Sequence, residues 1–455
     1  MRTGTAGPLL LAAALSLAAG SARADFNTAL ADYQAGHYDS ARRQFSAMAG
    51  LGDCSSQFNL GVMTLQGQGG AKDIGAALGW LEAAAANGCQ QLVGRRVAVL
   101  EGIVSPQEAH AAADILARYG HDALHEQGIV EPALDCPERV AAAVGQVPVP
   151  EYPSAGKLRN GLVIGELTIG LDGRARDPEI FLSAPDAAFA AAAIEAWLHG
   201  HFTPASRNGT PIESRLQVWL PFHIAGVEPL WSSPPYKGAR AAADAGDPSA
   251  EYLVGLAATA DPSLGIGPAH GTQLLIEAAR DGNPQAQYWL AVQLKAVELC
   301  HPRTSGVAWL RPAAAAGDGA AALALARELL GGSPGEAQLG EARRLLESAA
   351  ASDSYYVRKH VLAFLAASPL AALRDPATAQ QVAARLGAGD IQSDPQMFEA
   401  LAAAAAVGGD FPAAVSQQET AIRKARELAW STHAMEERLA AYRGGRPWQG
   451  DLFAG

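Results

Sequence analysis

Four cysteines, two histidine pairs and one glycine-rich turn are the residues whose types and spacing could do chemistry. Cys54, Cys89, Cys136 and Cys300 match no zinc-binding spacing, and four cysteines allow three full disulfide pairings. Spacing does not choose among them. In an exported chain structural disulfides are the first reading and free thiols the second. His121 and His125 are four apart and would share a metal if both lay on one helix, but Gly120 and Gln127-Gly128 argue against a stable helix there. His199-Gly200-His201 reads as a solvated turn. Gly67 to Gly70 is followed by no Lys-Ser or Lys-Thr, so it joins two helices rather than cradling a phosphate. No serine sits in a Gly-x-Ser-x-Gly elbow. These residues define no catalytic set, no metal site and no cofactor site. The expected protein is not an enzyme, and an envelope hydrolase hidden in repeats is the weakest alternative.

Composition narrows the class. The chain has 455 residues, 49% of them hydrophobic and 18% charged, which fits packed helices rather than disorder. Its alanine richness favours helices that approach closely over one large aromatic core. Residues 1–24 read as an export signal. Arg2 precedes an apolar run from Pro8 to Ala19, and Ala22-Arg23-Ala24 makes a small-x-small cleavage site before Asp25. The expected location is the periplasm of a Gram-negative bacterium. Removing Arg2 and Arg23 from the 34 basic residues leaves 32 against 46 acids, a net charge of −14. Such a chain does not favour nucleic acid or anionic lipid. No stretch after the signal reads as a stable transmembrane segment.

The elements that would position any site are mostly repeated helices. Gln57-Phe58-Asn59-Leu60-Gly61, Gly67 to Gly70, and Ala76 through Gly88 read as helix, glycine turn, helix. Asp247, Asn283, Asp318 and Asp353 then follow at steps of 36, 35 and 35 residues, each beside a short turn. Asp or Asn in that place caps the helix that follows, and proline after it loses no hydrogen bond. A period near 35 marks a helical solenoid. Tyr252, Tyr288, Trp289 and Trp309 recur at repeat positions and are read as core. Ser105-Pro106-Gln107-Glu108 is a capping-box start. The last helix, about Thr432 to Arg443, packs Leu439 and Tyr442 inward and turns Glu436, Glu437 and Arg438 outward as a polar cap.

One stretch breaks the helical pattern. From Pro148 to Ala225 the chain carries strand-like runs at Gly161–Ile169, Glu179–Leu182 and Arg215–Phe222, with a helix at about Asp186 to His199.

Two resemblances follow from these residues. The unit from Ser55 to Gly88 resembles the Sel-one-like repeat, a relative of the tetratricopeptide repeat, and more weakly so does the chain from Ala241 to Tyr356. That resemblance implies a superhelix that binds proteins and carries no catalysis. Tyr152-Pro153, Asp172-Gly173, Phe202-Thr203-Pro204-Ala205, Asn208-Gly209-Thr210-Pro211 and the strand to Phe222 resemble the C-terminal domain of the TonB energy transducers. It implies a three-stranded antiparallel sheet with a helix on one face. It also implies an edge strand, Arg215, Leu216, Gln217, Val218, Trp219 and Leu220, that accepts an extended peptide. The cleavable signal and the missing Pro-rich spacer depart from that family and break its link to an inner-membrane motor.

The expected fold is therefore mainly α, a helical-repeat solenoid interrupted by a small α+β domain of TonB C-terminal type. Its parts are the signal (1–24), a first repeat region (25–140), the α+β domain (147–225), a Pro-rich linker (226–235), further Sel-one-like repeats (236–368), and tetratricopeptide-like helices with a capping helix (369–455). The expected function is a periplasmic protein–protein scaffold whose partners are periplasmic or outer-membrane proteins. The alternative is an accessory component of TonB-dependent transport.

Overall fold

The computed structural model describes residues 25–136, 139–153, 159–232, 236–298, 300–301, 306–386 and 391–453. The expected export signal lies outside them. The first helices are α1 (Phe26–Gln34), α2 (Tyr38–Ala49), α3 (Cys54–Gln66), α4 (Ile74–Ala84), α5 (Gln90–Glu101), α6 (Pro106–Tyr119) and α7 (His121–Glu126). Then come β1 (Arg139–Val140), β2 (Ala143–Gln146), β3 (Gly161–Ile169), β4 (Ala175–Ala184), α8 (Ala187–Leu198), β5 (His201–Thr203), β6 (Ala205–Arg207), β7 (Thr210–Ile212) and β8 (Ser214–Phe222). The chain continues through α9 (Ala239–Asp244), α10 (Pro248–Ala258), α11 (Pro268–Arg280), α12 (Pro284–Val297), α13 (Val307–Ala315) and α14 (Gly319–Leu330). It closes with α15 (Glu336–Ala349), α16 (Tyr355–Ala367), α17 (Pro376–Ala384), α18 (Pro395–Val407), α19 (Phe411–Glu427) and α20 (His433–Arg443). None of these helices is long and apolar enough to cross a membrane.

The helices start where short polar side chains can hold free N–H groups. Asp53, Asp73, Asp247, Asn283 and Asp318 each accept from a backbone N–H in the first turn, and Ser105 and Glu108 close a capping box. The fourth periodic acid departs from this. Ser354, not Asp353, caps α16, while Asp353 reaches out to Arg385 at 3.0 Å. Neighbouring helices touch at small residues. A Cβ on Gly79 would meet the Ala112 carbonyl of α6 at 2.7 Å, and one on Gly255 would meet the Gly271 carbonyl of α11 at 2.8 Å. The architecture is mainly α, a helical-repeat solenoid enclosing a small α+β unit.

That unit is built on β3. β4, β3 and β8 form an antiparallel sheet in that order, and α8 covers one face. Val163, Leu167 and Ile169 pack there with Phe189, Ile194, Trp197, Val218 and Phe222. Tyr152 of the proline-rich lead stacks edge-on against Phe189 and Phe222. The other face is also covered. Leu162 and Ile164 share one core with Leu256, Leu275, Tyr288, Trp289 and Leu310 of the repeats. Because both faces are buried, β3 reads as a nearly continuous apolar run, not an alternating one. Leu51, Leu124, Ile129 and Val130 join the same core, and the Phe26 N–H donates to the Asp281 carbonyl (3.1 Å). The first helices thus dock on α11 and its turn, and one face of the sheet packs against the repeats.

The span read as a linker is anchored where it is described. Asn160 Nδ2 donates to the carbonyls of Val227 and Glu228, and Trp231 Nε1 donates to Asp261 at 2.7 Å. The chain end departs from expectation too. Arg438 does not face outward; it is buried and bonds Glu399 at 2.7 Å. The residues after α20 fold back, with the Gly450 N–H on the Ala367 carbonyl and Leu452 buried against α16 and its neighbours.

Candidate functional site

The side of β8 that faces away from β3 is the first feature of the site. β8 pairs with β3 through nine consecutive residues without a bulge, so its backbone groups alternate strictly between inward and outward. Three observations set the phase. Pro221 has no N–H and belongs on the outward set. The Arg215 carbonyl accepts from the Arg139 guanidinium rather than from β3 (3.5 Å). Beyond the strand, the Ile224 N–H turns inward to Asn160 (2.7 Å). The outward backbone groups therefore belong to Arg215, Gln217, Trp219 and Pro221. Leu216, Val218 and Leu220 spend theirs on β3, so only alternate members of the stretch Arg215 to Leu220 can meet an added strand. Among the described residues no strand pairs with β8 on that side. Trp219 is 48% exposed there, the most exposed large hydrophobic residue of the sheet's two long edge strands.

The side chains of the same strand do something else. Arg215 enters a buried polar cluster between the sheet and the repeats. Its Nε lies 2.6 Å from Glu166, its Nη2 2.7 Å from Glu179, and its Nη1 donates to the Tyr356 hydroxyl at 3.1 Å. Tyr288 of α12 donates to Glu179 at 2.9 Å. Gln217 bonds Thr259 and Trp289 of the repeats, both at 3.0 Å. On the far side Lys359 lies 3.1 Å from Asp177 and 3.0 Å from Asp394 and is fully buried. His360 bridges Asp177 and Arg327. A guanidinium only donates, so His360 Nδ1 accepts from Arg327 and Nε2–H donates to Asp177.

Charge follows burial in this cluster. Burial, opposed by Arg215 and reinforced by Glu166, pushes the Glu179 carboxyl up to about 7. Burial also raises Glu166, against the pull of Arg215. Burial and the Arg327 charge push His360 down to about 3, which keeps the imidazole neutral. Burial works against an ionised Asp177, but His360 and Lys359 offset it and hold that carboxyl well below its usual range. The groups form a buried ion network.

Two cavities flank the network. One, of about 340 Å³, lies between the start of β8 and helices α12 to α14 and is lined by Arg139, Arg215, Arg327 and Tyr356. The other, of about 710 Å³, lies beyond Arg327 and is walled by His360, Phe364 and the returning chain end at Phe453.

The remaining candidates resolve differently. Cys54 pairs with Cys89 and Cys136 with Cys300. The first closes the α3–α4 hairpin; the second ties the lead into the sheet to the end of α12. His121 and His125 do lie on a short helix, contrary to the glycine argument, because buried Leu124 pins that turn to the core. Their rings sit 6.0 Å apart, and no third ligand joins them: among the described residues no three His, Cys, Asp or Glu side chains are placed to hold a metal. Tyr288, Trp289 and Trp309 are buried as expected of core residues. Tyr288 and Trp289 also bond polar groups of the sheet. Sequence reading missed Glu166, Asp177, Glu179, Arg327, Lys359 and His360. Their one visible signal is acids within strand-like runs and cations within apolar helices, where unpaired charges are disfavoured.

The chain is thus a helical-repeat protein with an enclosed α+β unit. No protein-family model matches it, and no curated protein matches it in sequence. Among solved structures it is similar to a protective antigen present in uropathogenic Escherichia coli strains displaying an SLR fold. The identity is 16%, the TM-score 0.31, and the match covers 90% of this chain and 76% of that one.

Proposed function

We propose that this protein is a non-enzymatic protein–protein interaction scaffold of the periplasm, and that the open edge of β8 docks an extended segment of an envelope protein. The resemblance of the α+β unit to the TonB C-terminal domain supports the docking mode, and the signal-like residues 1–24 support the location. The observation that carries the reading is the outward row at Arg215, Gln217 and Trp219, with Trp219 exposed beside it. Free strand edges accept added strands through main-chain hydrogen bonds, and neighbouring pockets supply specificity. The repeats pack on the sheet's other face.

The test is cross-linking in cells followed by mass spectrometry, with full-length wild type, Trp219→Ala and Trp219→Pro. Alanine keeps the outward N–H and proline removes it. An envelope partner cross-linked to wild type and Trp219→Ala, and reduced at least tenfold in Trp219→Pro, is the expected result. Identical cross-links in all three proteins, or none, would sink the edge reading.

A further inference from the structure

We infer that the cavity at the start of β8 receives the free C-terminal carboxylate of a peptide that pairs antiparallel with the β8 edge. This rests on the edge reading above and adds the chemistry of the ligand's end.

The first observation is two guanidiniums with no carboxylate in direct contact. Arg327 donates to the Tyr356 hydroxyl (2.8 Å) and to His360, and His360 is neutral. Arg139 donates to two carbonyls, Ala296 O at 3.2 Å and Arg215 O at 3.5 Å. Among the described residues neither guanidinium has a carboxylate within 4.0 Å. Both guanidiniums line one cavity and have donors free to bond a carboxylate that enters it. Ser214 adds a third unmet group, because its Oγ is buried at the cavity wall and has no hydrogen-bond partner. Three carboxylates also reach this cavity. Glu298 and Glu328 are both held by Lys295, at 2.8 and 3.2 Å, and Glu213 is exposed. None of the three lies within 4.0 Å of Arg139 or Arg327.

Direction is the second observation. The cavity is lined by Ile212, Glu213, Ser214 and Arg215, the residues at which β8 begins. A strand added antiparallel to β8 ends there, so its last residue and its carboxylate enter the cavity. A parallel strand would bring an ammonium group to the same guanidiniums and be repelled. From Trp219 to Arg215 the edge spans about 14 Å, at about 3.4 Å per residue, so five or six ligand residues cover it. The Arg139 contact with the Arg215 carbonyl is at the limit of hydrogen-bonding length, and an incoming backbone N–H would take its place. Arg139 is then free to bond the carboxylate, and planar guanidinium groups match carboxylates two bonds at a time.

The experiment uses immobilised full-length protein and two random-sequence octapeptide pools, one with a free C-terminus and one amidated. Retained peptides are quantified by mass spectrometry. The inference expects at least tenfold greater retention of the free-carboxylate pool, and loss of that preference in both Arg327→Gln and Arg139→Gln. Trp219→Pro should abolish retention of both pools. Equal retention of the two pools by wild type, abolished by Trp219→Pro, overturns the carboxylate inference and leaves the edge reading standing. A carboxylate preference that survives Trp219→Pro shows a carboxylate site without strand addition and overturns the pairing. No retention of either pool overturns both. The wild-type comparison needs no variant, so a folding defect in either arginine variant does not blunt it.

Discussion

Glu179 sits where burial and charge compete, and its behaviour with pH is the most direct readout of the polar cluster. Its carboxyl is raised to about 7, above the ordinary 4.5. The folded state therefore holds a proton that the unfolded state has lost. The stability this contributes is fully present below about pH 4.5 and is lost as pH rises through 7. Glu179→Gln removes this dependence. It should leave the melting temperature little changed at pH 5 and raise it at pH 8, by an amount on the order of 1–3 kcal/mol in stability. Thermal scans of both proteins across pH 5 to 8 check this, and parallel curves would contradict it. His360 has the opposite sign. Its pKa is lowered to about 3 from 6.5, so stability falls as pH drops through that window. Lys359 tests the other half of the cluster. It is fully buried between Asp177 and Asp394 and also donates to Gln396 at 2.8 Å. Lys359→Met strands two buried carboxylates and should cost about 3–5 kcal/mol, seen as an early denaturation midpoint.

Elements turn these residues into a surface. On a strand, one position of phase decides whether a backbone group belongs to the native ladder or to the open edge. Val218 faces inward and is 1% exposed. Val218→Pro would remove a ladder hydrogen bond to β3 and should markedly lower the melting temperature. Trp219→Pro has the phase of the native Pro221 and should shift melting by only a few degrees. Circular dichroism melts of the two variants side by side test the assigned phase, and the reverse order would refute it. Helices obey a similar logic of contact. Gly255 lets α10 meet α11, so Gly255→Leu would overpack this crossing at a cost of roughly 1–3 kcal/mol.

At the scale of the whole molecule, the α+β unit is not a bead on a string. Its second face, with Leu162 and Ile164, is buried by the repeats, and Glu166, Glu179 and Asp177 find partners on α12 and α16. A fragment of residues 147–225 would expose that apolar face and strip those charges. It should bind a hydrophobic dye and give a poorly dispersed NMR spectrum, whereas the same residues in the full chain should be protected from hydrogen exchange. A well-dispersed fragment spectrum would show that the unit is independent. The Cys136–Cys300 bond closes a separation of 164 residues between the lead into the sheet and the repeats. Replacing both cysteines with serine should cost about 2–4 kcal/mol by freeing that loop in the unfolded chain.

What the sequence by itself determined is the local code. The repeat period, the Asp and Asn caps, the glycine contacts and the strand runs of the α+β unit were legible because each depends on residues a few positions apart. Even there a local choice could go to a neighbour, as at Ser354 in place of Asp353, and a buried leucine could rescue the short helix at His121. The polar cluster was not legible. Glu179, Tyr288, Arg327 and His360 are separated by tens to more than a hundred residues, and only the seating of the sheet inside the repeats brings them together. The two disulfide partners, the inward turn of Arg438 and the return of Leu452 onto α16 were decided the same way. So was the phase of β8: the sequence marks Arg215 to Leu220 as a strand, but the register with β3 decides which backbone groups face away from it. Caps and turns are settled by short-range hydrogen bonds, whereas charge pairing and edge exposure are settled by which surfaces exclude water from one another, and that is a property of the assembled molecule.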